Sequence, residues 1–433
     1  MKKSLVVIVV AWAFATNTSF VHAIEFTRQP FIQNSTSQSV DIRFVTDTQE
    51  DLVIKYGETI NYGNLIYSTN YPGTGGNNNH FLISSLKPGK TYYYQITTSG
   101  GTPLTPQKDR SYFFKTAPNE NSPFSWAAWG DSGEYGKVNI EALKSAKPDL
   151  VLISGDVGYN YTTDFANNNY QLFDVYKDIS RHTPFYPTCG NHEESCETLL
   201  VDHTLPGGGT MGGQLSTYSW DYGNVHFTAL NSNDKFTYLP ENLAASDPQM
   251  IWAHNDIKTS KATWKVVYWH HSGWSGGSHT TDETIVNNML RMASDAGANI
   301  VIWGHSHTYE RWNKKQGFFP NVQVFTVGTG GKTGLTNCTK VSPGPGCAAK
   351  ITTNKAGFLL ATVEGENMTL RFINEDSQVV DTVTLSSDKN GDYKDNEAKV
   401  ESLISYERLL MLSTTIAILA SSALIVIFAK RKR

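Results

Sequence analysis

The sequence predicts two extracytoplasmic domains of different class, an all-β N-terminal sandwich and then an α/β domain, with a single membrane-spanning helix at the C-terminus. Three observations predict it. Up to about Thr116, short runs rich in Val, Ile, Phe and Tyr alternate with Gly, Asn and Pro clusters, the pattern of antiparallel strands and turns. From about Phe124 onward, apolar strand-like runs alternate with longer helix-like segments, which implies βαβ units and helix-covered sheets. Residues 409–429 carry no charge and are followed by Lys430-Arg431-Lys432-Arg433. At 1.5 Å per residue such a helix spans roughly 31 Å, about the hydrocarbon thickness of a bilayer, and the basic tail marks its cytoplasmic side.

The other end is also a targeting segment. Met1-Lys2-Lys3, the apolar run 5–15 and Val21-His22-Ala23 form a secretory signal, cleaved after Ala23. The expected division is therefore signal 1–23, sandwich 24–117, α/β domain 118–385, linker 386–408, membrane helix 409–429 and tail 430–433. A chain of 433 residues suffices for two cores. Its 36 basic and 40 acidic residues nearly balance, at net charge −4, which leaves no field for a nucleic-acid partner. The four cysteines cluster as Cys189 with Cys196 and Cys338 with Cys347. In an exported protein two short-loop disulfides are the default, although four cysteines permit three connectivities. Neither pair has zinc-finger spacing. Asn34, Asn160, Asn337 and Asn367 lie in N-x-[ST] sequons, which matter in a eukaryotic secretory pathway.

In the first domain Val40, Ile42 and Phe44 alternate with Asp41 and Arg43, so one strand face is apolar and the other polar. Strands 52–56, 80–83 and 91–97 follow. The stretch Leu86-Lys87-Pro88-Gly89-Lys90-Thr91-Tyr92-Tyr93-Tyr94 resembles the loop-to-strand corner of a fibronectin type III-like module. It holds no acid–base or metal cluster, so its expected role is structural. In the second domain strands are expected at 125–129, 149–153, 184–188, 264–269, 299–303, 322–327, 357–363 and 368–373. A two-stranded unit is expected over 217–231, and helices over 137–147, 164–181, 248–258 and 282–296.

Five of these strands run into side chains that hold metals. They end at Gly130-Asp131-Ser132-Gly133, at Gly155-Asp156-Val157-Gly158-Tyr159, at Gly190-Asn191-His192-Glu193, at His270-His271 and at Gly304-His305-Ser306-His307. An Asp after one strand is ordinarily a turn residue or a helix cap. Five such ends in order imply one centre at the carboxyl edge of the sheets, where α/β folds gather ligands. Glycine beside a ligand lets the backbone turn sharply and the loops crowd together.

The set GDxG, GDxxY, GNH[DE], VxxH and GHxH resembles that of the purple acid phosphatases, within the metallophosphoesterase superfamily. Thr308-Tyr309-Glu310-Arg311 and the sandwich ahead of the domain resemble the two-domain, plant-type branch. The resemblance covers residues 24 to about 385 and implies a four-layer α/β/β/α fold. It further implies that Asp131, Asp156, Tyr159 and His307 hold a ferric ion. Asp156, Asn191, His270 and His305 would hold a divalent partner (iron, zinc or manganese). Carboxylate and phenolate oxygens suit a trivalent ion and imidazoles a borderline divalent one, while the two oxygens of Asp156 can bridge. His270 has the VxxH spacing to Val267, and adjacent strand residues face oppositely, so His271 points away or lines the rim.

By the same resemblance, Asn191, His192 and His279 bind the substrate, and His192 and His279 are catalytic. His22, His80, His182, His203, His226 and His254 are read as signal, packing or surface residues. The implied activity is an exported, membrane-tethered acid phosphatase acting on small phosphomonoesters. A metal-bound hydroxide would attack in line, and a protonated His279 or His192 would assist the departing alkoxide. The alternatives are a phosphodiesterase or nucleotide-cleaving enzyme on the same fold, and a non-catalytic surface binding protein. The last would be expected to have lost ligands, and none is missing.

Overall fold

The computed structural model describes residues 23–70, 76–120, 122–133, 140–159, 169–193, 196, 202–208, 216–233, 244, 246–279, 281–312, 319, 321–334, 348, 350–352, 355–387 and 393–397. The signal up to residue 22, the helix 409–429, the tail 430–433, Cys338, Cys347, Asn160 and Asn337 lie outside them. Among the described residues no helix is long and apolar enough to cross a membrane.

Residues 26–115 form two antiparallel four-stranded sheets. The strands are β1 (Phe26–Gln33), β2 (Val40–Thr46), β3 (Leu52–Gly57), β4 (Asn64–Tyr67), β5 (Thr69–Asn70), β6 (Asn77–Ile83), β7 (Thr91–Thr98) and β8 (Phe113–Lys115). Their orders are β1-β2-β6-β5 and β4-β3-β7-β8. The core between them is built by alternate residues, Val40, Ile42 and Phe44 from one sheet against Ile54, Tyr92, Tyr94 and Ile96 from the other. The opposite face of β2 is not in water: Asp41 and Arg43 are buried, and Asp41 pairs with His80. The period of two was legible, but its polar face is covered.

The sandwich is docked on the second domain through β1. Ile32 faces the sandwich core, whereas Phe31 belongs to the core of the second domain, its ring 4.5 Å from Phe173. Gln33 bonds the backbone of Thr204 and Phe185, and the buried pair Arg28–Asp202 closes at 3.0 Å. Tyr94 donates to the Arg181 carbonyl at 2.7 Å. Such a contact holds the two domains in one orientation.

The second domain has two seven-stranded sheets packed face to face. The first runs β11-β10-β9-β19-β20-β21-β22, from β9 (Phe124–Trp129), β10 (Leu150–Ser154), β11 (Phe185–Thr188), β19 (Gly357–Glu364), β20 (Asn367–Asn374), β21 (Val379–Ser387) and β22 (Tyr393–Glu397). The second runs β12-β13-β14-β15-β17-β16-β18, from β12 (Tyr218–Tyr222), β13 (Val225–Ala229), β14 (Trp264–Trp269), β15 (Ile300–Trp303), β16 (Tyr309–Trp312), β17 (Gln323–Val327) and β18 (Lys350–Thr352). Strands β9, β10 and β11 are mutually parallel, as are β13, β14, β15 and β17. The parallel strands are continuous apolar runs because both faces are buried. In β14, Val266 and Tyr268 face the inter-sheet core. Val267 and Trp269 face a second core with Met250, Ala253, Ile257, Met289 and Leu290, from the helical segments Pro248–Thr259 and Ile285–Leu290. Asp247 caps the first of these helices by accepting from the Gln249 N–H, and Pro248 supplies its first turn.

Several stretches differ from the sequence expectation: strands β16 and β18 were not anticipated, and the helix expected over 282–296 is a π-helix Ile285–Leu290 followed by a short helix Arg291–Asp295. The helix expected over 164–181 is a π-helical turn Asn169–Asp174 followed by a short helix Lys177–Ser180. The stretch expected as a linker, 386–408, begins inside the fold. β21 runs to Ser387, and β22 pairs with it from Val383↔Glu397 to Ser387↔Tyr393. The sequence signal missed was Asn390-Gly391, a dipeptide that favours turns, which lies outside the described residues.

Candidate metal centre

The parallel strands of both sheets deliver their carboxyl ends to one edge, and the candidate ligands follow there. The face alternation of β14 gives its two terminal histidines different hydrogen-bond partners, although both rings lie near His305, at 5.1 Å for His270 and 4.7 Å for His271. His270 continues the inter-sheet face, its Nδ1 on the Ser154 carbonyl at 2.9 Å and its Nε2 3.0 Å from the Asn191 side-chain oxygen. His271 turns to the other side and shares a 2.9 Å hydrogen bond with the Ser232 hydroxyl.

Asp131, Asp156 and His270 bring ligand atoms within 4.8 Å of one another, and all three are buried. The Tyr159 hydroxyl donates to Asp131 at 2.7 Å and lies 3.1 Å from His307 Nε2. Asp156 Oδ1 is 3.3 Å from His270 Nε2, which in turn lies 3.3 Å from His305 Nδ1. All seven candidate ligands thus converge in one chain of contacts. The two candidate substrate histidines stand beside it, the His192 ring 4.1 Å from Tyr159 and the His279 ring 3.9 Å from His305. His80, His182, His203, His226 and His254 are not among these contacts. His226, for example, is held by Asp221 and Asp256 at 2.7 and 2.9 Å.

The local backbone is shaped for this convergence. Asp131, Asp156, His305 and His307 all have positive φ, between 50° and 67°. This left-handed conformation is uncommon for any residue with a side chain. It reverses the chain within one residue and aims consecutive loop side chains inward. Gly190 and Gly304 are required by close approach. A Cβ at Gly190 would overlap the Asp156 carboxylate, and one at Gly304 would meet Asp131 Oδ2.

The electrostatics are those of a cation site. Two buried carboxylates face each other across imidazoles, an arrangement that is costly without positive charge. Burial raises the Asp131 carboxyl, but the hydrogen bond and charge of His307, with the charge of His270, outweigh it and hold the group below its ordinary range. Burial also opposes charge on His270, yet Asp156 and Asp131 bring its pKa up to about 9. Burial and then the charges of Asp131 and Asp156 push the Tyr159 phenol well above 10. These opposed shifts are what buried carboxylates and imidazoles in direct contact impose on one another. Three kinds of donor meet here, carboxylate and phenolate oxygens, an amide oxygen and imidazoles. They fit a hard trivalent ion beside a borderline divalent one.

Two further residues were given no role on sequence. Glu193 accepts backbone N–H bonds from Asp156 (3.0 Å), Val157 (2.7 Å), Gly158 (3.4 Å) and Gly190 (2.6 Å). It clamps two ligand loops together. Burial and then the charge of Asp156 push its carboxyl up to about 7. Glu310 is buried on β16 and accepts from Gly276 N (3.2 Å to each oxygen) and from the Thr308 hydroxyl (2.8 Å). It thereby holds the loop that carries His279. Its neighbours Tyr309 and Arg311 face the other way and share Asp381 of the first sheet, each at 2.8 Å. One strand therefore ties the substrate loop on one face and the opposite sheet on the other. Cys189 and Cys196 form a disulfide around Asn191, His192 and Glu193.

Residues 134–309 match the family described as calcineurin-like phosphoesterase. The match spans 176 of the 433 residues, within the second domain. Proteins similar to this chain include purple acid phosphatase 18 of Arabidopsis thaliana, 24% identical over 66% of this chain and 63% of that one. Purple acid phosphatase 22 of the same plant is 24% identical over 74% of this chain and 80% of its own. Acid phosphatase A of Cryphonectria parasitica is 22% identical over 57% and 66%. The chain spans about half to two thirds of the length of the first such relatives, 63% of one and 53% of another. A structure of PhoD superposes on 87% of this chain and 93% of its own with TM-score 0.59 at 14% identity, a likeness of fold.

Proposed function

We propose that this protein is an exported acid phosphatase that hydrolyses phosphomonoesters at a binuclear centre of ferric iron and a divalent ion. The observation that carries the reading is the Tyr159 hydroxyl, set between Asp131 and His307 at 2.7 and 3.1 Å. A phenol there suits a trivalent ion and has no other evident task in a buried cluster of carboxylates and imidazoles. Asp131, Asp156, Tyr159 and His307 would hold the ferric ion, and Asp156, Asn191, His270 and His305 the divalent one. When bound, the pair supplies an activated water and positive charge for an in-line displacement at phosphorus.

The chain's own residues do the rest. His192, fixed by its backbone N–H on Asp156 Oδ1 at 3.0 Å, binds a phosphoryl oxygen. His279, on the loop held by Glu310, donates a proton to the departing alkoxide. Ser154 fixes the His270 tautomer through its carbonyl, leaving Nε2 to face the centre. The fibronectin III-like identity of the sandwich, export through the signal 1–23 and anchoring by 409–429 belong to the same proposal. The sequence patterns of those segments support it.

Purified protein should contain iron, show a visible tyrosinate-to-iron absorption and hydrolyse p-nitrophenyl phosphate in acid. A colourless protein that cleaves bis(p-nitrophenyl) phosphate but no monoester would replace this reading with the phosphodiesterase one.

Glu310→Ala should release the His279 loop without emptying the centre. Hydrolysis of an alkyl phosphate, which needs the proton donor, should fall about ten- to a hundredfold. Turnover of p-nitrophenyl phosphate, whose leaving group needs little help, should fall less. Equal loss on both substrates would mean that Glu310 acts on overall stability alone.

A further inference from the structure

The segment after β17 contributes to no metal site, yet it is bonded to the ligand loops along its length. Gly130 N–H donates to the Val327 carbonyl (2.8 Å), Gly330 N–H to Gly130 (2.8 Å), Lys332 N–H to Asp131 (3.0 Å) and Gly334 N–H to His307 (2.7 Å). The backbone of Lys332 is therefore fixed against two candidate ligands of the ferric ion. Its side chain is directed at the same place, with the ammonium 4.3 Å from the centroid of the Tyr159 ring. His192, the candidate phosphate-binding imidazole, lies against that ring as well, at 4.1 Å. Among the described residues no carboxylate forms an ion pair with Lys332.

We propose that Lys332 is a substrate-binding residue. Its ammonium leaves the aromatic face to pair with a non-bridging oxygen of the phosphoryl group, beside His192. This rests on the phosphatase reading above and deepens it. A cation resting on an aromatic face is held weakly and exchanges readily for a charge-assisted bond to phosphate. The four-carbon stem gives it reach while the backbone stays fixed. Because a monoester has a second ionisable oxygen that a diester lacks, the added cation favours the monoester. Lys332 thus sets specificity between the two substrate classes that share this fold.

The test uses metal-loaded protein and three variants, Lys332→Met, Lys332→Gln and Lys332→Arg. For p-nitrophenyl phosphate, KM should rise about ten- to a hundredfold in the Met and Gln variants. Their kcat should stay within about threefold, and Arg should retain most of the affinity. The inhibition constant of inorganic phosphate should rise in parallel, while kcat/KM for bis(p-nitrophenyl) phosphate changes far less. KM and the phosphate constant both within about twofold of wild type would overturn the assignment, as would equal losses on both substrates. If the wild-type protein turned over neither ester, the phosphatase reading would fall. Calorimetric binding of inorganic phosphate would then decide Lys332: weaker binding in the Met variant supports it, unchanged binding ends it.

Discussion

Asp156→Asn should lower p-nitrophenyl phosphate hydrolysis about a thousandfold or more and reduce the content of both metals, with the fold intact. Asp156 is buried and reaches His270 at 3.3 Å through Oδ1, while its other oxygen faces the His192 ring. In the proposed binuclear centre it is the candidate ligand that both ions would share. Asparagine keeps the shape but loses the charge and the second anionic oxygen. Asparagine also tolerates the left-handed backbone at this position, φ 51°, so any fall in melting temperature should follow the lost metal rather than backbone strain. Elemental analysis and steady-state kinetics on the purified variant check it. Full activity with both metals retained would show that the centre has been assigned to the wrong residues.

Glu193→Ala should be the most destabilising single change in the centre. The carboxylate takes four backbone N–H groups from two loops, and its removal strands them in a buried place. An unsatisfied buried donor costs about 1–3 kcal/mol. Loss of the whole clamp is expected at about 3–5 kcal/mol, as for breaking a buried charged network. Glu193→Gln should fall between, since its amide nitrogen faces N–H donors. Urea melts of the three proteins, read with metal content, test this. An Ala variant within about 1 kcal/mol of wild type would mean that water replaces the carboxylate without loss.

Parallel strands must present their carboxyl ends together, so the sequence led one to expect the residues after β9, β10, β11, β14 and β15 near one another, and the structure brings them into contact. The opposite facing of His270 and His271 was legible for the same reason, being fixed by strand geometry alone. What sequence left unseen depends on main-chain partners. The acceptor role of Glu193 needs the N–H groups of Asp156 to Gly158, 35 to 37 residues upstream, and no spacing rule names a backbone atom. On sequence Glu310 and Arg311 belong only to the resemblance, with no strand or role of their own. The pairing of β16 between β17 and β18 buries them, and Asp381, 70 residues on, is a partner of Arg311. The buried Asp41 and Arg43 show the same limit, because periodicity reports two faces but not what covers each.

The left-handed backbone at Asp131, Asp156, His305 and His307 bears on how such a domain would decay. Each such residue stores about 1–3 kcal/mol of strain, and the mutual repulsion of the carboxylates adds to it whenever ions are absent. Glycine at these positions would relieve the strain while erasing the chemistry. In a lineage no longer selected for catalysis, drift there would be favoured by stability as well as tolerated by disuse. Directed evolution for heat resistance alone would meet the same slope, and it would harvest a sturdier, silent protein.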